Sequence, residues 1–203
     1  MLGLRPRLLR AWSAMRPYRP MAGGKRLLED EYADGAWDYL AGMPELGRFS
    51  VLAGYCQHLH DRPAILEIGC GEGLLAERLC PERFKSYVGV DISDTAISRA
   101  RAKSVPNAAF VASDALNFQP TEAYDLILFT ECLEYFDDPA ALLQRFEASL
   151  TPTGFIIVSM FVGGDTNRTD KIWKMLGRRY TCVDETRVSN AQGLSWVIRV
   201  LQR

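Results

Sequence analysis

The chain is predicted to be a doubly wound α/β domain: a seven-stranded sheet with helices on both faces, closed by a C-terminal antiparallel hairpin. Three observations predict it. From residue 65 onward, short apolar runs alternate with helical patterns, which implies parallel strands joined by helical crossovers. Residues 65–68 run into glycines at 69, 71 and 73, and then into the helical spacing of Leu74, Leu75, Arg78 and Leu79. A strand, a glycine turn that lets a ligand approach the backbone, and a helix N-terminus suit a nucleotide-type ligand. The last two apolar runs are joined only by residues 187–193, too few for a parallel crossover, so they should pair as a hairpin.

Composition sets the outer bounds. At 203 residues the chain is long enough for one well-buried domain. A hydrophobic content of 48% and a charged content of 24% are ordinary for a globular protein. No stretch nears 18 uninterrupted apolar residues, so no spanning helix is expected. The 5 cysteines lack any Cys-x-x-Cys pair, which argues for reduced thiols, against a zinc site, and for a cytoplasmic protein. The net charge of -1 hides an asymmetry: residues 1–28 carry seven basic side chains and no acid, leaving 17 basic and 25 acidic residues, a net of -8, in the remainder. An acidic body of this kind disfavours nucleic acid as a partner.

In chain order, residues 1–24 form a basic arm without clean periodicity. Three readings stand: a flexible or docking arm, a start-site artefact with Met21 as the true first residue, or a targeting peptide. Residues 25–203 are expected to form one domain, with 25–62 a helical lid and 63–203 the core. In the lid, an aromatic-rich helical stretch around Trp37 precedes a second helix that starts near Pro44 and runs to His60. Leu46, Phe49, Leu52 and Ala53 are its expected apolar stripe. Trp37 and its neighbouring tyrosines either pack or roof the ligand. In the core, residues 87–91 make a second strand closed by Asp91, and Ser93 reads as the N-cap of a helix to Lys103. Residues 109–112 and 124–130 make the third and fourth strands. Asp138-Pro139 opens a helix to Leu150. A strand at 154–160, a helix at 169–176 and strands at 180–186 and 194–201 complete the pattern.

The glycine spacing selects the ligand. A dinucleotide fingerprint would place its third glycine at position 74, which is Leu. Here Glu67-x-Gly69-x-Gly71-x-Gly73 resembles motif I of class I S-adenosylmethionine (SAM) dependent methyltransferases. From residue 65 to 201 the motifs follow the order and spacing of the small-molecule type 11/12 group of that family. The resemblance implies a Rossmann-like methyltransferase fold, SAM as cofactor and S-adenosylhomocysteine (SAH) as its product. It also implies roles. Gly69, Cys70, Gly71 and Gly73 would present backbone to the methionine end, with Glu67 holding the turn. Asp91 would accept from both ribose hydroxyls, a task for a group that is an acceptor at both oxygens. Ile92 would pack on the adenine face, and Ser113, Asp114 and Ala115 would meet the adenine edge. Thr130 and Glu131 would lie beside the methionine amino group. Arg48, whose guanidinium can fork to a carboxylate, is the candidate for the SAM carboxylate, and Trp37 for the roof.

The implied reaction is methyl transfer to an O or N of a small molecule, a sugar or secondary-metabolite intermediate by family analogy. Glu134 and Tyr135 are the candidates to touch the acceptor. Many relatives read Glu-x-x-Glu-His there and some bind a metal; Tyr135 replaces that histidine, so no metal is expected. His58 and His60 should lie at the amino-terminal edge of the sheet, away from the ligand. Residues 130–133 are not the Asn/Asp-Pro-Pro-aromatic turn of DNA amino-methyltransferases. Two rivals remain. A non-catalytic methyltransferase-like subunit would dock a partner through its basic arm, and an NAD-dependent oxidoreductase would conflict with the glycine spacing. Oligomeric state is not legible in the sequence.

Overall fold

The computed structural model describes residues 24–163 and 166–203; the basic arm up to residue 23 lies outside them. Its elements are α1 (Lys25–Ala33), α2 (Met43–His58), β1 (Ala64–Ile68), β2 (Ser86–Asp91), α3 (Asp94–Ala102), β3 (Ala108–Ala112), β4 (Tyr124–Thr130), α4 (Pro139–Glu147), β5 (Leu150–Val162), α5 (Thr166–Arg179), β6 (Thr181–Ser189) and β7 (Ser195–Gln202). The sheet order is β3-β2-β1-β4-β5-β7-β6. The first five strands run parallel, whereas β7 pairs antiparallel with both β5 and β6. The doubly wound sheet and its closing hairpin are therefore as predicted.

Two cores sandwich the sheet. On one face, Phe49, Leu52 and Cys56 of α2 and Ile97 and Ala100 of α3 pack on Ile65, Leu126, Leu128, Ile157 and Ile198. On the other, Leu142, Leu143 and Phe146 of α4 and Ile172, Trp173 and Leu176 of α5 cover Leu66, Ile127, Phe129, Val158 and Val197. β1 and β4 are buried along nearly their whole length. Central parallel strands covered on both faces read as continuous apolar runs for this reason.

Local signals explain most boundaries. Ser93 Oγ accepts the Ala96 amide, and Asp138 Oδ1 accepts the Ala141 amide ahead of Pro139, so α3 and α4 begin at side-chain caps. Three expectations need correction. The helix expected after Gly73 is a run of turns ending in a 3-10 turn, Ala76–Arg78. Pro81 is the cause: its preceding residue is held extended (Cys80 ψ 120), and so short a segment cannot repay helix nucleation. The α4 helix stops at Glu147, and Leu150 instead opens β5. On α2, Leu46 is 47% exposed, while Glu45 and Arg48 take the buried positions beside Phe49. The two charges neutralise each other there, with Arg48 Nε 2.9 Å from Glu45 Oε2.

The side chain of Phe146 is fully buried and its ring meets Phe129 edge-on with centroids 5.8 Å apart. Phe146→Ala should cost about 3–5 kcal/mol, read as a lowered urea midpoint with an unchanged slope; a loss under about 1 kcal/mol would show that α4 does not carry this core.

Candidate active site

The carboxyl ends of β1, β2 and β4 converge on the glycine turn. Gly69, Gly71 and Gly73 have φ of 78°, 51° and 70°, the left-handed region that side chains disfavour. A Cβ at Gly69 would stand 2.8 Å from Cys132 Cβ, and one at Gly71 2.9 Å from the Tyr32 hydroxyl oxygen. The turn is tied to β2 from above and below. The Gly69 and Cys70 amides donate to the Val90 carbonyl at 2.9 and 3.1 Å. The Gly71 amide donates to Asp91 Oδ2 at 2.9 Å, and the Ser93 amide to Asp91 Oδ1 at 3.0 Å. Burial pushes the Asp91 carboxyl up, and the amides of Ser93, Gly71 and Ile92 pull it back down. Each carboxylate oxygen keeps a lone pair for a further donor.

Beneath the turn lies Glu67. Thr130 Oγ1 donates to its Oε1 at 2.7 Å, and the Tyr87 hydroxyl donates to Oε2. Burial pushes its pKa up to about 7 against these hydrogen bonds and the charge of Arg48. Thr130 Oγ1 also lies 3.3 Å from the Gly69 carbonyl. The threonine hydroxyl is thus spent on holding the turn. Cys70 and Cys132 are buried thiols, raised by burial, that pack beneath the turn. Only the Cys70 backbone is left to face a ligand.

A second acid group forms at the end of β4. Glu131 has φ 52°, a left-handed conformation rare for such a residue. Its amide donates to the Ser159 carbonyl at 3.0 Å, and its carboxylate accepts from the Ser159 hydroxyl. Burial raises its pKa, while Arg48, Ser159 and the Phe161 amide lower it. Arg48 stands with its guanidinium 4.1 Å from the Phe49 ring centroid and 5.9 Å from that of Trp196. Among the described residues only its Nε is hydrogen-bonded, leaving the η nitrogens as open donors. Glu134 Oε2 is buried with no hydrogen-bond partner among the described residues. Burial, then the neighbouring Glu131, pushes the Glu134 pKa up to about 8. Arg168 on α5 donates to the Glu134 and Phe136 carbonyls and fixes this segment. Tyr135 packs half-buried on the adjoining core.

The adenine-side candidates also join the rim. The Ser113 amide donates to the Asp91 carbonyl at 2.9 Å, and Asp114 Oδ1 accepts the Leu116 amide in a local turn. The Ala115 carbonyl is taken by Arg145. Ile92 is half-buried beside Asp91. Over the turn, Tyr32 stacks obliquely on Trp37 (centroids 5.8 Å), and Trp37 on Tyr39 (6.3 Å). The roof is fastened by Arg99, which meets Glu72 at 2.6 Å and Asp38 at 3.6 Å, and by Glu29, which accepts the Asp94 and Thr95 amides at the start of α3. His60 instead hydrogen-bonds the Thr153 carbonyl, at the amino-terminal end of the sheet as expected. Among the described residues no group of three or more His, Cys, Asp or Glu could hold a metal ion.

Sequence reasoning missed Glu45, Tyr87 and Gly89. Gly89 had a signal, a glycine inside an apolar strand: a Cβ there would lie 2.9 Å from Cys70 Sγ. Tyr87 and Glu45 had none, because only pairing of β1 with β2 and docking of α2 bring them in.

This fold and turn define a Rossmann-like methyltransferase domain. A family model described as a methyltransferase domain matches residues 26–196, and the chain belongs to that family, the class I SAM-dependent methyltransferases. It is 33% identical over 105 residues to malonyl-[acyl-carrier protein] O-methyltransferase 2 of Ilyobacter polytropus, covering 50% of this chain and 40% of that protein. It is 29% identical over 106 residues to the mitochondrial arginine-hydroxylase NDUFAF5 of Rattus norvegicus, covering 52% of this chain and 31% of that protein. The chain thus matches under half the length of these curated relatives. Among solved structures it resembles the N-methyltransferase NodS of Bradyrhizobium japonicum bound to SAH, with a TM-score of 0.72, 22% identity, and coverage of 88% of this chain and 98% of that one.

Among the raised carboxyls, Glu67 and Glu134 make stability depend on pH most strongly near neutrality. From an ordinary value of about 4.5, Glu67 rises to about 7 and Glu134 to about 8. Across that window the folded chain holds protons that the unfolded chain has lost, so stability falls as pH rises from about 5 to 8. Each group contributes a slope of up to about 1.4 kcal/mol per pH unit. Glu134→Gln should flatten the decline measured by urea unfolding at pH 5, 6, 7 and 8. A variant that declines as steeply as the parent would remove Glu134 as a source.

Proposed function

We propose that this chain is an enzyme that transfers the methyl group of SAM to an O or N of a small molecule. One observation carries the reading: the left-handed Gly69, Gly71 and Gly73 form a turn beside Asp91, whose carboxylate is already oriented by the Gly71 and Ser93 amides. The residues fit the cofactor's chemistry. Asp91 would accept two hydroxyl donors, the open Arg48 η nitrogens would meet a carboxylate, and the acids Glu67, Glu131 and Glu134 would complement a cation. The backbone of Gly69, Cys70, Gly71 and Gly73 would line the methionine end. Thr130 would hold the turn from below, while Glu131 would meet the ammonium. Ile92, Ser113, Asp114 and Ala115 would enclose the adenine. Trp37 and Tyr32 would cover it and exclude water.

When bound, SAM supplies an activated methyl on a cationic sulfur. The protein's share is alignment and dryness, since the displacement is in-line from a good leaving group. Glu134 offers more. A carboxyl held near neutrality is suited to take the proton of an arriving hydroxyl or ammonium, and Tyr135 stands next to it. A sugar or secondary-metabolite intermediate is the acceptor class that the compact core supports, and a cytoplasmic site of action accords with the free thiols. The described chain has no helix long and apolar enough to cross a membrane, and its acidic body does not favour nucleic acid.

The test is the thermal midpoint with and without SAH, run beside Asp91→Ala. Ligand at about 100 times its Kd should stabilise by about 2.7 kcal/mol, a rise of about 5–10 °C. The rise should shrink sharply in the variant. No rise in the parent chain would overturn the reading and leave a partner-docking subunit in its place.

A further inference from the structure

A cleft of about 420 Å³ opens at the carboxyl end of β5, between α5 and the β6–β7 hairpin. That is within the size range of small-molecule sites, and it is separate from the glycine turn. Period-two alternation brings Glu185 and Arg187 of β6 and Val197 and Arg199 of β7 to the same face. Asp170, Trp173 and Lys174 lie on one side of α5 by their spacing of three and four. The floor is apolar, formed by Phe161, Val197 and Trp173.

Cations outnumber acids in the wall, with Lys174, Arg187 and Arg199 against Asp170 and Glu185. Arg199 is pre-set: its guanidinium lies 4.4 Å from the Trp173 ring centroid, and its Nε donates to Glu185 at 2.6 Å. Its η nitrogens make no hydrogen bond among the described residues. Arg187 and Lys174 are exposed, and neither has an ion-pair partner among the described residues. The cleft also borders the acid pair of the active site. Phe161 stands two residues along β5 from Ser159, whose hydroxyl donates to the Glu131 carboxylate, and Arg168, one residue before the cleft residue Thr169, grips the Glu134 carbonyl at 2.8 Å.

Resting on the methyltransferase reading, we propose that this cleft seats the anionic end of the methyl acceptor, a carboxylate or phosphate on a flat apolar body. Arg187, Lys174 and the Arg199 fork bind the anion, and Trp173 and Phe161 take the apolar part. The acceptor's reactive end then points toward Glu134.

Calorimetric titration of the full chain with phenyl phosphate, benzoate and neutral benzyl alcohol tests this, with and without SAH. Phenyl phosphate or benzoate should bind, benzyl alcohol should not, and the tighter anion names the head group. Arg187→Gln and Lys174→Gln, both surface changes, should each weaken the anion about tenfold while leaving SAH affinity unchanged. SAH and the anion should occupy the protein together. Absence of anion binding, equal binding of benzyl alcohol, binding unmoved by both variants, or competition with SAH would each overturn the proposal. Anion binding in the cleft without any SAH binding would keep the anion site but overturn its assignment to a methyl acceptor; SAH binding without the anion would overturn the cleft alone.

Discussion

One buried carboxylate ties the site together. Glu67 sits at the end of the central strand β1, with the Tyr87 hydroxyl from β2 and the Thr130 hydroxyl from β4 on its two oxygens. Placing an acid there costs free energy unless its oxygens are satisfied. Satisfying them forces three adjacent strands into fixed register just where the chain leaves the sheet. The left-handed glycine turn above depends on that register, because Thr130 also reaches the Gly69 carbonyl and Val90 receives the Gly69 and Cys70 amides. Asp91, at the end of β2, is then placed to receive the Gly71 amide. The shape of the glycine turn is thus a consequence of strand pairing.

The same logic concentrates acids. Glu45, Glu67, Glu131 and Glu134 all have raised proton affinities, with burial the leading cause at each. The Arg48 charge draws the first three back down, and the Arg168 charge the last. Like charges gathered in a low-dielectric site repel unless protons or a cation relieve them. A bound cation would do so, which ties the electrostatics of these acids to the charge proposed for the cofactor. The strained Glu131 backbone belongs to the same arrangement, since strain of this kind persists only where surrounding contacts enforce it.

Much of this was legible from spacing. The alternation of apolar runs, the caps at Ser93 and Asp138, and the three glycines depend on local chemistry that a sequence displays directly. The failures were also local in origin but decided elsewhere. The segment after Gly73 has helical spacing, yet Pro81 and the short connection to β2 leave room only for turns. Leu46 looked like a core residue by periodicity, but α2 docks with Glu45 and Arg48 inward. A helical wheel cannot show which of two overlapping faces will meet the sheet.

The order of strands and helices, the glycine turn and the residue types around it are written locally in the chain, because they follow from backbone permissiveness, capping and periodicity within a few residues. Packing between distant segments settles which acids are buried together, which donors they find, and how the hairpin and α5 flank the cleft. Those depend on contacts between segments far apart in the chain, such as Tyr55 with Asp184 or Arg48 with Trp196. No local pattern encodes such a pairing, because its energy exists only once the sheet has brought both partners to one face.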